Sequence, residues 1–302
     1  MKEFLKKNKF SIILLVVLIL FISFICYGEY IKKIYNGMSD KITYELCNKI
    51  LEYEDLELCK VNVENYVEDY SYDTLTLYVQ LLPDLGIILL LLPILIMIVS
   101  GYNIHKEFRS FNIKNKLTRV SYKRYITKEV IGSYINALII PIFVTFYFYC
   151  CYRVSGHFDY THAVSLKLST LSIECLEMPL IFMLVCVLNL FMISIYYINI
   201  VLLVVKNNKN FVVTILESIL IYYGVIIILS TIIPTIVHKL TNISWIVIQN
   251  NINIYEMYHY GERSLLYFSL FVFFVFIISS LLVYFSYRNK EKVIIKLEKS
   301  SI

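Results

Sequence analysis

The sequence lacks the short motifs that mark the commonest metal and nucleotide sites. None of its seven cysteines forms a C-x-x-C pair, so neither a disulfide framework nor a cysteine zinc site is indicated. A Walker sequence, G-x-x-x-x-G-K-[ST], is also absent, which excludes a phosphate-binding loop of that type. Alanine occurs only as Ala137 and Ala163, a bias that A/T-rich codons would produce. The 16% aromatic content is therefore weak evidence for an aromatic binding pocket.

Charge is nearly absent from six long apolar stretches, in which Glu217 is the single ionisable exception. Hydrophobic residues make up 59% of the 302 residues, more than a water-soluble domain tolerates without exposing large apolar patches. A helix needs about 20 apolar residues to cross a hydrocarbon core of roughly 30 Å. We therefore predict an all-α polytopic membrane protein with a single transmembrane domain over residues 1–302. The six predicted spans are residues 10–27, 85–102, 131–152, 178–205, 211–237 and 265–287.

The distribution of basic residues predicts the orientation. An even number of spans places both termini on one side, and the segments on that side hold 19 of the 28 Lys and Arg residues. Since Lys and Arg near span ends stay in the cytoplasm, we predict a multi-pass protein of the cell membrane with both termini cytoplasmic. The net charge of +5 then reflects topology, and it argues against nucleic acid as a partner. The first span reads as a retained anchor because no small-x-small cleavage site follows it.

The first outer segment, residues 28–84, is acidic and is predicted to form a small helical cap. Leu46, Ile50 and Leu51 share one face at helical spacing there, but the segment is too short for an independent core. Cys47 and Cys59 both lie in it, on the side where oxidation is possible. A disulfide between them and two separate thiols are both open.

Prolines predict where the helices are disturbed. Pro179 suits the first turn of the fourth span, a position at which the missing N–H costs nothing. Pro93, Pro141 and Pro234 would instead kink or break their helices, which membrane spans accept when neighbours satisfy the freed carbonyls.

The segment between spans two and three, residues 103–130, is predicted to lie in the cytoplasm and is strongly basic. Ile104, Phe108 and Phe111 recur at helical spacing, which predicts a short amphipathic helix. A second short helix, containing Tyr125 and Ile126, would lead into span three. Two interpretations follow from the residues alone. The helices could lie on the anionic inner leaflet, or a cytoplasmic protein could dock on them.

The amino-acid sequence of this segment resembles that of the first cytoplasmic loop in type-2 ATP-binding-cassette exporter permeases. In that family the loop reads approximately E-F-x-x-G-T-I-K-N-x-L-x-x-G-x-S-R-x-x-Y-x-x-S-K. The resemblance is carried by Glu107-Phe108-Arg109, Ile113-Lys114-Asn115, Leu117, Val120-Ser121-Tyr122-Lys123-Arg124-Tyr125-Ile126 and Lys128. The six spans and the enlarged first outer segment also look like that family. The sequence departs from it at Phe111-Asn112, in place of Gly-Thr, and at Val120, in place of Gly.

The resemblance implies a permease subunit that is not itself an enzyme. In such permeases the helix that carries the Glu couples to a groove on the ATPase, which implies an ATPase-coupling interface of Glu107, Phe108, Arg109 and Phe111. ATP and Mg²⁺ would bind the separate ATPase chains, so this chain needs no cofactor of its own. Its partners would be those ATPases, the lipid bilayer, and a second permease copy or sister permease. The loop looks most like permeases that clear bacteriocins, lantibiotics or other peptide antibiotics from the membrane, which implies an antimicrobial peptide, a drug or another amphiphile as cargo.

Three polar residues within the spans are candidates for a transport pathway. Intramembrane polar residues are functional candidates by default, because a charge at the bilayer centre costs at least about 2.5 kcal/mol. Glu217 is the ionisable one. It lies only about 9 Å from the start of its span, where it could pair with Lys206 or Lys209. Asn136 and Asn189 are the neutral ones.

Two other classes of function remain as alternatives. A membrane-embedded enzyme could use a metal site, since His157 and His162 flank Asp159 in an outer loop. No H-E-x-x-H sequence supports it. A sensor or immunity protein without transport would have the same spans, but the coupling-type loop argues against that class.

Overall fold

The computed structural model describes residues 9–28, 74, 86–109, 119–155, 179–241 and 265–289. All regular structure in these ranges is helical, and they contain no strand. The helices are α1 (Lys9–Gly28), α2 (Gly86–Arg109), α3 (Tyr122–Tyr134), α4 (Ile139–Ser155), α5 (Pro179–Val205), α6 (Phe211–Ile227), α7 (Ile233–Thr241) and α8 (Leu265–Arg288).

Within the described ranges, five helical stretches are long and apolar enough to cross a membrane. They run over Lys9–Gly28, Ile88–Phe108, Tyr122–Val154, Ile181–Val205 and Phe268–Arg288. These stretches match five of the six predicted spans. Helices of this length and composition are those expected in a membrane protein. The other predicted span begins with α6, which is 17 residues long and continues through a π-helical turn, Ile228–Ile232, into α7. The predicted outer cap lies outside the described residues.

The helices are irregular beside two of the three prolines predicted to kink or break them. A 3₁₀ segment, Ile135–Leu138, stands just before Pro141, and the π turn stands just before Pro234. In both places the carbonyl four residues before the proline falls inside the irregular segment, where the ring no longer clashes with it. Pro93 does not break α2, and Pro179 opens α5 as predicted.

Helix α2 continues seven residues beyond its predicted end, from Tyr102 to Arg109. The predicted short amphipathic helix around Ile104 and Phe108 is therefore the last part of α2, not a separate element. Nothing in this stretch stops a helix, because Gly101 is followed by residues that continue the apolar pattern. Helix α3 matches the second predicted helix and continues through the 3₁₀ segment into α4.

The described helices divide into two compact units. The larger holds α1 up to Leu15, α2, α3, α4 up to Ile142, and α5 to α8. The smaller holds α1 from Val16 and α4 from Phe143.

Helix α5 is the central helix of the larger unit and packs against α2, α6 and α8. Every residue from Ile193 to Leu202 is buried, as expected of a helix that is apolar all round. Gly101 of α2 allows a close approach, since a Cβ there would lie 2.9 Å from Val201 Cγ1 of α5. Outward-facing residues such as Leu220 and Leu270 are exposed and apolar, which suits contact with lipid.

Candidate functional site

The residues predicted to couple to an ATPase stand at the end of α2. Phe108 is 4% exposed, and its ring centre lies 6.0 Å from that of Tyr287, one residue before the end of α8. Phe108 is thus packed within the chain and holds α2 against α8. Arg109 ends the helix, while Phe111 lies outside the described residues.

Glu107 connects the end of α2 to α3. Its carboxylate and that of Glu129 both lie within electrostatic reach of the Tyr125 hydroxyl. Tyr125 and Glu129 are buried, whereas Glu107 is only partly covered. The basic segment 110–118, whose structure is not described, therefore joins two helix ends that are packed against each other.

A row of polar contacts, which we call the α5–α8 seam, runs between α5 and α8. Asn189 Nδ2 donates to Ser269 Oγ at 2.9 Å, and Asn199 Nδ2 donates to Ser279 Oγ at 3.0 Å. Farther along, the Lys206 ammonium donates to Ser286 Oγ and lies 5.5 Å from the Tyr287 ring centre. Each hydrogen-bonded pair is separated by 80 residues, so the two helices run parallel at a constant offset.

Asn199 makes the hydrogen bonds that connect the seam to a third helix. Its side chain is completely buried, accepts a hydrogen bond from the Tyr134 hydroxyl at 2.7 Å, and donates to Ser279 and Ser280. It thus joins α3, α5 and α8. The sequence analysis did not single it out, although an Asn within the fourth span is the same signal that identified Asn189.

Asn136 lies at a different junction. Its Oδ1 accepts a hydrogen bond from Ser11 Oγ at 2.6 Å, and its Nδ2 donates to Ser100 Oγ at 3.1 Å. The 3₁₀ segment before α4 is thereby tied to α1 and α2. Since Asn136 and Asn189 share no hydrogen-bond partner, the structure does not bring these two candidates into one site.

Glu217 is partly buried and accepts a hydrogen bond from the Asn208 side chain, in the turn between α5 and α6. Lys206, one of the two predicted partners, contacts Ser286 of α8. Asn210 caps α6 by accepting from the Val212 N–H at 2.9 Å. Glu217 is therefore held near the end of its helix by a neutral donor.

The cysteine pair predicted in the outer cap, Cys47 and Cys59, lies outside the described residues. Within the smaller unit, the thiols of Cys26 and Cys150 lie within hydrogen-bonding reach of each other. Neither forms a disulfide, and both lie near the ends of α1 and α4 that the orientation prediction places outside. Their closeness depends on the packing of two helices that are far apart in the sequence, and the spacing of the cysteines along the chain does not reveal it.

His157, Asp159 and His162, which carry the enzyme alternative, lie outside the described residues. Within the part of the chain that is described, no three His, Cys, Asp or Glu side chains gather into a group that could hold a metal ion.

Comparison with known proteins adds no identification: no family model, no curated protein and no solved structure matches the chain. The functional argument therefore depends on the residues and their contacts.

Proposed function

We propose that this chain is the permease subunit of an ATP-binding-cassette exporter, driven by separate cytoplasmic ATPase chains. The observation that carries the proposal is the packing of the Glu107 end of α2. The segment that resembles the family's coupling loop begins where α2 contacts both α3 and the last turn of α8. A push on this segment would therefore reach several apolar helices at once.

The packing divides the roles of the predicted coupling residues. Phe108, buried against Tyr287, transmits force within the chain. Glu107 and Arg109, with the basic residues that follow, meet the ATPase. Truncating a fully buried Phe commonly costs about 3 kcal/mol or more, so Phe108→Ala would disturb folding and is not a clean test of docking.

The cargo proposed is an antimicrobial peptide, a drug or another amphiphile, and the pathway forms with a second permease copy or a sister permease. Two ATPases that close on ATP would move the α2–α3 junction and switch access between the two sides of the membrane. Movement of α3 would act on the polar residues of the α5–α8 seam, because their hydrogen bonds join α3, α5 and α8.

The test compares two arginines in matched positions. Arg109 ends α2 and Arg153 lies in the last turn of α4, and the orientation prediction places them on opposite sides of the membrane. The tagged chain is purified from its native host in mild detergent, and the copurifying ATPase is quantified together with ATP hydrolysis. We expect Arg109→Ala and Glu107→Ala to lower both quantities several-fold, while Arg153→Ala leaves them unchanged. A preparation without ATPase, or equal yields in all variants, would refute the proposal.

A further inference from the structure

A cavity of about 420 Å³ lies between α3 and α8, and it shares Tyr134, Ser280 and Tyr287 with the contacts described above. The Tyr122 hydroxyl donates to the carbonyl oxygen of Tyr287 at 2.9 Å, which joins the two walls at one end. Tyr134 and Ser280 line the other end. The two helices therefore run antiparallel along the cavity, and about 16 Å separates Lys123 from Tyr134 along α3 at 1.5 Å per residue.

The cavity has an apolar inner wall, and part of its outer rim is apolar too. Ile126 and Val283 are buried in the wall, while Ile131 and Tyr284 are 58% and 59% exposed at the rim. Both of these exposed residues lie inside predicted spans, so this part of the rim would face the hydrocarbon region. A hydrocarbon chain can thus enter from the side beside Ile131 and Tyr284.

The cavity is positively charged at one end only. Lys123, near the start of α3, and Arg288, the last residue of α8, both line it and are both exposed. None of the described lining residues is acidic. Glu129, the acid on α3, is buried and faces Tyr125 instead. Two cations beside an apolar slot are complementary to a molecule with an anionic head and a hydrocarbon tail.

We propose that the slot between α3 and α8 binds one anionic phospholipid. Its phosphate lies between Lys123 and Arg288, and one acyl chain follows the apolar wall past Ile131 and Tyr284 toward Tyr134. Tyr122, beside both cations, supplies an aromatic group at the level of the headgroup, where amphipathic rings are favoured. The bound lipid would fix the spacing of α3 and α8. This site is independent of the proposed transport function.

The experiment counts lipids bound to the purified full-length chain. The protein in neutral detergent is titrated with phosphatidylglycerol or with phosphatidylcholine of the same acyl chains, and bound molecules are counted by native mass spectrometry. The pocket variant is Lys123→Gln with Arg288→Gln. The control is Arg124→Gln with Lys128→Gln, which removes the same charge from exposed residues of α3 that do not line the cavity.

We expect one phosphatidylglycerol to bind the unmodified chain and the control with similar affinity, and phosphatidylcholine to bind much more weakly. The pocket variant should bind phosphatidylglycerol about thirtyfold more weakly, given a contribution near 1 kcal/mol from each cation. An equal loss in both variants would show diffuse attraction and overturn the site. Excess inorganic phosphate should not release the lipid, and release by phosphate would overturn the proposal in favour of a simple anion site.

A second variant tests the apolar part of the slot. Thr127 lines the cavity from an exposed position, so Thr127→Trp fills space there without disturbing the buried core. We expect it to weaken phosphatidylglycerol binding while both cations remain. Unchanged binding would show that no acyl chain occupies the cavity, and the proposal would fail.

Discussion

The Tyr287 hydroxyl donates a hydrogen bond to the carbonyl oxygen of Leu202 at 2.6 Å, in a site that is fully shielded from solvent. The same residue accepts from Tyr122 through its backbone and packs beside Phe108. One tyrosine thus joins α8 to α2, α3 and α5 at the end of the bundle where the basic segment begins.

Tyr287→Phe should lower the free energy of unfolding by about 1 kcal/mol, since it removes one buried hydrogen bond and leaves the ring packed. The control is Tyr284→Phe, because Tyr284 is mostly exposed. Thermal unfolding of both variants in the same detergent provides the comparison. Equal midpoints for the two variants would show that the Leu202 contact contributes nothing.

Asn199→Ala should destabilise the chain more than Asn189→Ala. Hydrogen bonds between membrane helices average about 0.6 kcal/mol, and Asn199 makes three to side chains where Asn189 makes one. Denaturation in mixed micelles measures the difference, expected to be about 1 kcal/mol. If the two variants are equally stable, Tyr134 and the α8 serines find other partners.

Gly101→Ala should lower stability by about 1 kcal/mol or more, because the new Cβ would lie 2.9 Å from Val201 Cγ1 and 3.1 Å from Ile215 Cδ1. Gly224→Ala is the matched control. Nothing lies within 4 Å of a Cβ at Gly224, so this change should leave stability unchanged or raise it by up to about 1 kcal/mol. A stabilised Gly101→Ala protein would contradict the close packing of α2 on α5 and α6.

Cys26 and Cys150 should form a disulfide when the membranes are treated with copper phenanthroline, which accepts the two electrons released as the thiols lose their protons. Peptide mass spectrometry without reduction detects the linked pair. Cys150→Ser should abolish it, and Cys186→Ser should not. Alkylation of both Cys26 and Cys150 after the oxidant would disprove their closeness. Alkylation of untreated membranes without prior reduction decides between the two alternatives left open for Cys47 and Cys59, a disulfide or two separate thiols.

The run from α6 through the π turn to α7 should cross the membrane as the fifth of the six predicted spans. In a background with all native cysteines changed to serine, Lys239→Cys should react with a membrane-impermeant maleimide in intact cells, and Lys209→Cys should not. Labelling at both positions would show that the run returns to the side from which it started. Labelling at position 209 alone would reverse the predicted orientation.

Hydrophobic length was sufficient to locate most helices. Helix α5 begins within one residue of its predicted start and ends at Val205, because the apolar stretch is bounded by Pro179 and Lys206. The irregular turns before Pro141 and Pro234 were predictable too, since a missing N–H and a ring clash are local effects.

Contacts between helices were not predictable in the same way. The position of Phe108 in the sequence fits an exposed amphipathic helix as well as the end of a buried helix. Its contact with Tyr287, which is far away in the sequence, distinguishes the two. Asn199 could be recognised as polar, but its bonds to Tyr134 and Ser279 depend on the rotation of three helices. Such contacts between helices cannot be deduced from a single sequence.

The constant 80-residue offset between α5 and α8 has a mechanical consequence. Paired side chains at Asn189, Asn199 and Lys206 oppose sliding of one helix along the other over about 26 Å, the distance along α5 between the outermost pairs. Sliding by one turn would break all three contacts together, so we expect α5 and α8 to move as a pair.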